Sequence, residues 1–250
     1  MHLLDGYTHA NWTKADEIIK DVTSFDFTSS YPFVLCSEKY PSSPFKKCKI
    51  TKKEQIIPNF AYLIYVRFTN ISCKYINNFI SQSKCKKIKN GRYDNGRLIG
   101  ADEIEIVLTD IDFNFIVKSY NFESYEFIEV YYSLYNYLPE EFIEFILKKY
   151  VIKTEYKNVE GKELDYQIEK QKFNSLYGMC VTNNIRDNVI FDNEKGWSEV
   201  PLTNEEIKDY LEKEKKKGFL SFSWGVWCTA YARRNLLENL IKLDKYVIYR

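Results

Sequence analysis

Ser24-Phe25-Asp26-Phe27-Thr28-Ser29-Ser30-Tyr31-Pro32 and Lys170-Gln171-Lys172-Phe173-Asn174-Ser175-Leu176-Tyr177-Gly178 decide how this chain is read. The first stretch puts a carboxylate at the end of an apolar strand, with a tyrosine five residues on where a turn opens a helix. The second places Lys170, Asn174 and Tyr177 at i, i+4 and i+7, one face of a helix. Asp26 lies between two phenylalanines, where a carboxylate is expensive to bury unless it is paired or bound to a metal. Bonding the N–H groups of the following turn is the commoner use of an aspartate at such a place. A polar helix face is likewise often merely wet, but a lysine on it is a mobile point charge suited to phosphate.

Around these stretches the chain alternates strand-like and helical segments. Thr23 to Phe27 reads as a strand, and Tyr31-Pro32 begins a short helix through about Lys39. Strand-like runs follow at Phe60 to Phe68, Glu103 to Leu108 and Tyr125 to Tyr131. Thr109-Asp110-Ile111-Asp112 caps a short helix from Phe113 to Ser119, and that place favours capping over metal binding for the Asp110-x-Asp112 pair. Pro139-Glu140-Glu141 opens a helix with Phe142, Phe145, Ile146 and Tyr150 at helical spacing. A loop at Asn158 to Gly161 leads to the helix that carries Lys170 and Asn174. Residues 181 to 202 are turn-rich, and Thr203-x-x-Glu206 is a capping box for a charged helix ending at Lys217-Gly218. Trp224 to Leu243 reads as a long, largely buried helix that feeds a terminal strand from Tyr246 to Tyr249. The fold class is α+β, with the strands near the two ends expected to be neighbours in one sheet.

The bulk numbers exclude more than they select. With 250 residues, 45% hydrophobic and 28% charged, the chain is long enough for a large core. Net charge is +1, so no overall field draws nucleic acid. Charge is uneven, however: Lys84, Lys86, Lys87, Lys89, Arg92 and Arg97 surround a single Asp94, a run that usually forms a solvated loop. The six cysteines, Cys36, Cys48, Cys73, Cys85, Cys180 and Cys228, form no C-x-x-C, which argues against a zinc ribbon and for reduced, mostly buried thiols in a cytosolic setting. His2 and His9 are the only histidines, leaving little for histidine acid–base chemistry. No apolar run approaches the ~20 residues of a membrane span.

A carboxylate, a tyrosine and a basic helix face are the parts needed to hold a metal-bound triphosphate against a nucleic-acid end. In this order and wording, the two stretches resemble motifs A and B of family B DNA polymerases of the protein-primed type found in phages and linear plasmids. Further resemblances are Leu108-Thr109-Asp110-Ile111-Asp112, Trp224-Gly225-Val226-Trp227 and Thr229-Ala230-Tyr231-Ala232-Arg233, so the likeness covers nearly the whole chain.

The resemblance implies a palm sheet with helical fingers and inserted α/β subdomains. Residues 1–39 would be the first part of the palm, 40–138 an insertion that contacts the priming protein or DNA, and 139–183 the fingers. Residues 184–217 would be a second insertion, and 218–250 the second part of the palm. Asp26 would be catalytic and, with the Phe27 carbonyl, would ligate Mg²⁺ (two ions in the complete enzyme, Mn²⁺ as a substitute). Phe27, Ser29, Tyr31, Lys153, Lys170, Asn174 and Tyr177 would bind the nucleotide, Tyr31 by stacking under its sugar. Ser175 and Gly178 would touch DNA. A family lysine expected one turn before Lys170 is replaced by Tyr166, so either Lys162 substitutes or that contact is missing. Partners would be a DNA template-primer, dNTPs and a terminal protein, in the cytoplasm of a bacterial or phage-infected cell. The family's remaining catalytic aspartates would follow Lys245-Tyr246-Val247-Ile248-Tyr249-Arg250, so the chain reads as a polymerase fragment that is inactive alone. A remnant or split piece that binds DNA or a terminal protein is the alternative, and an RNA-primed enzyme of organellar-plasmid type a further one.

Overall fold

In the computed structural model, residues 10–182, 187–194, 196–217 and 220–248 are described. The parts of those expectations that fall on residues 1–9 of the palm, on Gly218 and on Tyr249-Arg250 lie outside these residues. Helix α1 (Ser30–Ser37) is followed by the short strands β1 (Tyr40–Pro41) and β2 (Lys46–Cys48) and by the long strand β3 (Phe60–Cys73). Next come β4 (Cys85–Lys89), β5 (Arg92–Asp94), β6 (Arg97–Thr109), α2 (Asp110–Ser119), β7 (Tyr120–Asn121) and β8 (Ser124–Asn136). The helices α3 (Glu140–Glu155) and α4 (Glu163–Cys180) lead to β9 (Asn188–Asp192), β10 (Gly196–Val200), α5 (Asn204–Lys217) and α6 (Phe222–Leu243).

One antiparallel sheet, ordered β1-β8-β3-β6-β4, forms the centre. Alternation along β3 explains its two faces: Ile64, Val66 and Phe68 are buried, while Tyr65 and Arg67 point to the wet side. On the inner face, Ile64, Phe68, Ile104 and Ile106 pack with Phe113 of α2 and with Leu237 and Leu240 of α6. A second core joins α1, α3, α4 and the first half of α6 through Leu35, Ile146, Phe173, Trp227 and Tyr231. Helix α6 therefore belongs to both cores and ties the helical group to the sheet. Its approach to α4 is close enough that a Cβ on Gly225 would stand 2.1 Å from Val181 Cγ1, which explains glycine there.

Several expectations are corrected. Thr23 to Phe27 belongs to no strand among the described residues, and all five residues are exposed. The anticipated terminal strand begins as a 3₁₀ turn at Asp244–Tyr246. Its neighbour is Asn11, whose N–H donates to the Ile248 carbonyl at 2.9 Å and whose side chain donates to the Val247 carbonyl at 2.8 Å. The end segments are thus not paired through Thr23 to Phe27. Residues 181 to 202 are not only turns, because β9 and β10 pair as a hairpin with Phe191 against Trp197. The lysine run from position 84 is no loop either: β4 is an edge strand of the sheet, held in cross-strand register with β6. Of the thiols, Cys180 and Cys228 are buried, whereas the other four are half-buried.

Candidate nucleotide-binding site

The C-terminal part of the first stretch and the second stretch meet where α1 packs against α3 and α4. Ser29 precedes α1 in the left-handed region, φ 55° and ψ 47°, and its side chain makes no cap bond. Its hydroxyl is instead taken by Lys153 of α3, whose Nζ donates to Ser29 Oγ at 3.0 Å. Two positions on, the Tyr31 ring stacks on Tyr177 of α4, with centroids 4.3 Å apart and planes at 15°. Burial raises the Tyr31 hydroxyl pKa, the nearby Cys228 adds to the rise, and the Arg233 guanidinium opposes it. Cys228 also donates its thiol to the Tyr31 carbonyl at 3.8 Å, joining α1 to α6.

Lys153 is the best-positioned cation. Its ammonium stands 5.0 Å from the centroid of Phe173 and 5.6 Å from that of Tyr150. Desolvation lowers its pKa, and the neighbouring charges of Lys170 and Lys157 lower it further. Lys170 rests 5.9 Å above the Tyr166 ring, its neighbour one turn earlier. Among the described residues neither Lys153 nor Lys170 has a carboxylate partner, whereas Lys149 and Lys172 pair with Glu169 and Lys162 pairs with Asp165 at 2.8 Å. Lys162 is therefore committed to Asp165 and does not replace the lysine missing at Tyr166. The structure puts the Lys153 ammonium on a serine hydroxyl, with Lys170 close enough to lower its pKa, where α1 and α4 also stack two tyrosines, an arrangement able to hold a polyanion carrying a planar group.

Other residues singled out by the sequence are placed differently. Asp26 is exposed, between Phe25 and Phe27, which are themselves 85% and 45% exposed, so the anticipated burial of this carboxylate is not found. Without a strand partner to cover them, the flanking rings cannot withdraw it from water. Asn174 and Ser175 are exposed on α4, and Ser175 Oγ donates to the Lys172 carbonyl of its own helix at 2.8 Å. At Gly178 an added Cβ would meet nothing within 4 Å, so no packing within the chain requires glycine there. As metal donors, the Asp26 carboxylate and Phe27 carbonyl are hard oxygens of the kind Mg²⁺ takes, though octahedral coordination needs more than these two. No group of three or more metal-ligating side chains occurs among the described residues.

The Asp110-x-Asp112 pair behaves as a cap and an anchor. Thr109 Oγ1 accepts from the Asp112 N–H at 3.1 Å, as capping requires. Asp112 then receives Arg233 of α6 through bonds of 2.8 to 2.9 Å to both oxygens. Asp110 accepts from Tyr135, from the Trp227 indole and from the Tyr62 N–H, yet its burial is deep enough to push its pKa up to about 6. These two carboxylates lock α2 to α6 and thereby hold the helix against which Tyr31 packs. Sequence reasoning missed Phe173, Tyr150 and Tyr166 as supports for the lysines, and Glu169 as the partner of two others. The signals available for them were the i, i+4 spacing of Tyr166 and Lys170 and the i, i+3 spacings of Tyr150 and Lys153 and of Glu169 and Lys172.

On the outer face of the sheet, Lys87 and Lys89 reach Glu103 at 3.0 and 3.1 Å, and Lys86 lies 4.6 Å from the Tyr65 ring. No helix among the described residues is long and apolar enough to cross a membrane.

Residues 3–223 match the family described as DNA polymerase type B, organellar and viral. The DNA polymerase of Bacillus phage B103 is 26% identical over 245 residues, covering 96% of this chain and 40% of the phage protein. Among solved structures, phi29 DNA polymerase complexed with primer-template DNA matches with a TM-score of 0.71 at 20% identity, over 98% of this chain and 39% of that one. The phi29 complex with primer-template DNA and incoming nucleotide substrates gives a TM-score of 0.69 at 20% identity, over 99% of this chain and 40% of that one. The chain thus spans about 40% of the length of these relatives. Identity this low speaks for the fold alone, which is the α+β class expected from the sequence. The family match rests instead on most of the chain's own residues, and by it the chain belongs to the organellar and viral type B DNA polymerases.

Proposed function

We propose that the chain is the palm and fingers part of a protein-primed DNA polymerase, which adds dNTPs to a DNA 3′ end or to a priming-protein hydroxyl. The observation that carries this is Lys153, held on Ser29 with Lys170 close by and neither paired to a carboxylate among the described residues, at the junction where Tyr31 stacks on Tyr177. Lys153 and Lys170 bind the triphosphate as point charges that stabilise the leaving group. Ser29 shares a phosphate oxygen with Lys153, and Tyr31 lies under the sugar. Asn174 and Tyr177 flank the new base pair, while Ser175 and the open space at Gly178 receive the template.

Asp26 and the Phe27 carbonyl would hold Mg²⁺, and the exposure of Asp26 leaves its carboxylate open to a cation. The metal, when bound, supplies charge neutralisation at the transferring phosphate. Residues 1–39 and 218–250 are the palm, 139–183 the fingers, and 40–138 and 184–217 the insertions that meet the terminal protein and template. The site of action is the cytoplasm of the cell in which the DNA replicates.

Equilibrium dialysis of Mg·dATP against the 250-residue chain tests the reading. Saturable binding that Lys153→Ala weakens about tenfold is expected. Absence of nucleotide binding would sink it, and DNA affinity without nucleotide binding would favour a split-polymerase piece that acts as a binding module.

A further inference from the structure

Hairpin β9–β10 takes no part in the nucleotide site, and none of its residues belongs to either core. Its two strands pair only with each other among the described residues, and a lone two-stranded hairpin is marginal in water unless something covers it. Yet it carries Val189, Ile190, Phe191, Trp197 and Val200, large apolar side chains that are each at least 40% exposed. The register sets Trp197 opposite Phe191 and Glu199 opposite Val189. Opposed residues, and residues two apart along a strand, share a face. One face therefore presents Val189, Glu199 and the Phe191–Trp197 ring pair, whose centroids are 5.1 Å apart.

Charge decides what would lie on that face. Exposed rings suit stacked bases, but single-strand binders set such rings in a positively charged groove that tracks the phosphates. Residues 186–200 carry Asp187, Asp192, Glu194 and Glu199 against Arg186 and Lys195, an excess of negative charge that phosphates would meet unfavourably. Asp192 accepts the Glu194 N–H at 2.8 Å and so shapes the turn, while Asp187 and Glu199 are exposed. Helix α5 of the same insertion offsets nothing, since its five lysines are matched by five carboxylates.

We propose that this face docks a basic, extended segment of a protein. A guanidinium laid on the Trp197 ring would stand within reach of Glu199, about 7 Å further along the strand. Apolar side chains of the same segment would cover Val189 and Phe191. The inference concerns the second insertion and does not depend on nucleotide binding at Lys153.

Fluorescence anisotropy of a labelled peptide made of three Arg-Ser-Val-Ser repeats, titrated with the full 250-residue chain, tests the proposal. Extended, this peptide presents arginine and valine in turn on one side. Saturable binding is expected, weakened about tenfold both by Phe191→Ser with Trp197→Ser and by Asp187→Lys with Glu199→Lys. The Glu-Ser-Val-Ser counterpart should not bind, and Trp197→Phe, which keeps a ring, should lose less than about threefold. Because the hairpin lies outside both cores, the circular dichroism and Mg·dATP affinity of these variants should match those of the unmodified chain. No binding of the basic peptide, or binding that both double variants leave unchanged, overturns the proposal. So does an oligothymidylate that binds the unmodified chain and is lost in Phe191→Ser with Trp197→Ser, since the face would then belong to single-stranded DNA. A dimer in sedimentation equilibrium that the same variant dissolves would overturn it too, in favour of a second copy of the chain. A chain that binds the peptide but not Mg·dATP keeps this assignment and loses the nucleotide reading.

Discussion

The outer face of the sheet and the junction of α1, α3 and α4 are both rich in lysine, and they treat it in opposite ways. On the sheet, Lys87 and Lys89 meet Glu103, Arg67 bridges Glu105 and Glu126, and Lys47 meets Glu129. Each strand supplies one sign of charge and its neighbour the other, which keeps the face soluble and unattractive to an anion. At the helical junction, the carboxylates of Glu169 and Asp165 are spent on lysines that flank the site, and Lys153 and Lys170 stand on aromatic rings instead. A net charge of +1 is the sum of these two regions and describes neither. On the nucleotide reading proposed above, placement of carboxylates, rather than the number of lysines, decides where a polyphosphate would bind.

The largest expected effect separates the two regions outright. Lys153→Ala with Lys170→Ala should weaken Mg·dATP binding about 100-fold, near 2.7 kcal/mol, while Lys87→Ala with Lys89→Ala should leave it within about twofold. Equal losses in equilibrium dialysis would break the distinction.

Next in size is the sheet's own contribution to stability. Glu105 receives Tyr65 and a two-pronged Arg67, and these bonds hold its carboxyl down at about 2, from an ordinary 4.5. Glu105→Gln should lower stability by about 1–2 kcal/mol in urea denaturation at neutral pH without changing nucleotide affinity. The pH dependence has a definite sign. A depressed carboxylate stabilises above its unfolded value, so this contribution is lost as pH falls from 4.5 toward 2. Asp110 acts oppositely, because burial raises it from 3.8 to about 6 and the folded state gains as pH falls through that window. Denaturation midpoints followed against pH should therefore fall less steeply on the acid side in Glu105→Gln, with the depressed Glu103, Glu129, Glu169 and Glu206 supplying the rest, and keep the shallow gain between pH 6 and 4.

A smaller effect concerns salt. Added NaCl should weaken Mg·dATP binding steadily while moving the urea midpoint little, since exposed ion pairs contribute only about 0–1 kcal/mol each. The smallest is Lys86→Ala, which removes one exposed contact to the Tyr65 ring and should change stability by less than about 0.5 kcal/mol.

Helices were legible because their signals are local. The Thr109 cap, the Pro139 start of α3, the Thr203–Glu206 capping box and the apolar run of α6 all appear where spacing and cap chemistry put them. Strands were legible only where apolar alternation was strong, as in β3, β6 and β8. Thr23 to Phe27 has the composition of a strand, yet a strand exists only with a ladder partner, and composition carries no information about one. The lysines of β4 read as loop for the complementary reason, since their carboxylates lie on β6 and are invisible in the local sequence.

By itself, the sequence determined the order of helices, the α+β class, the family, and the presence of Lys170, Asn174 and Tyr177 on one helical face. These depend on spacing within a turn or two, where chain connectivity enforces proximity. Tertiary structure alone decided that Lys153 reaches Ser29, that Tyr31 stacks on Tyr177, and that Glu169 rather than a phosphate occupies Lys149 and Lys172. Lys153 and Ser29 are 124 residues apart, and Tyr31 and Tyr177 come from different helices. Such contacts arise because α1, α3 and α4 share one apolar core built on Leu35, Ile146 and Phe173, and the way those side chains pack sets which polar groups meet at its edge.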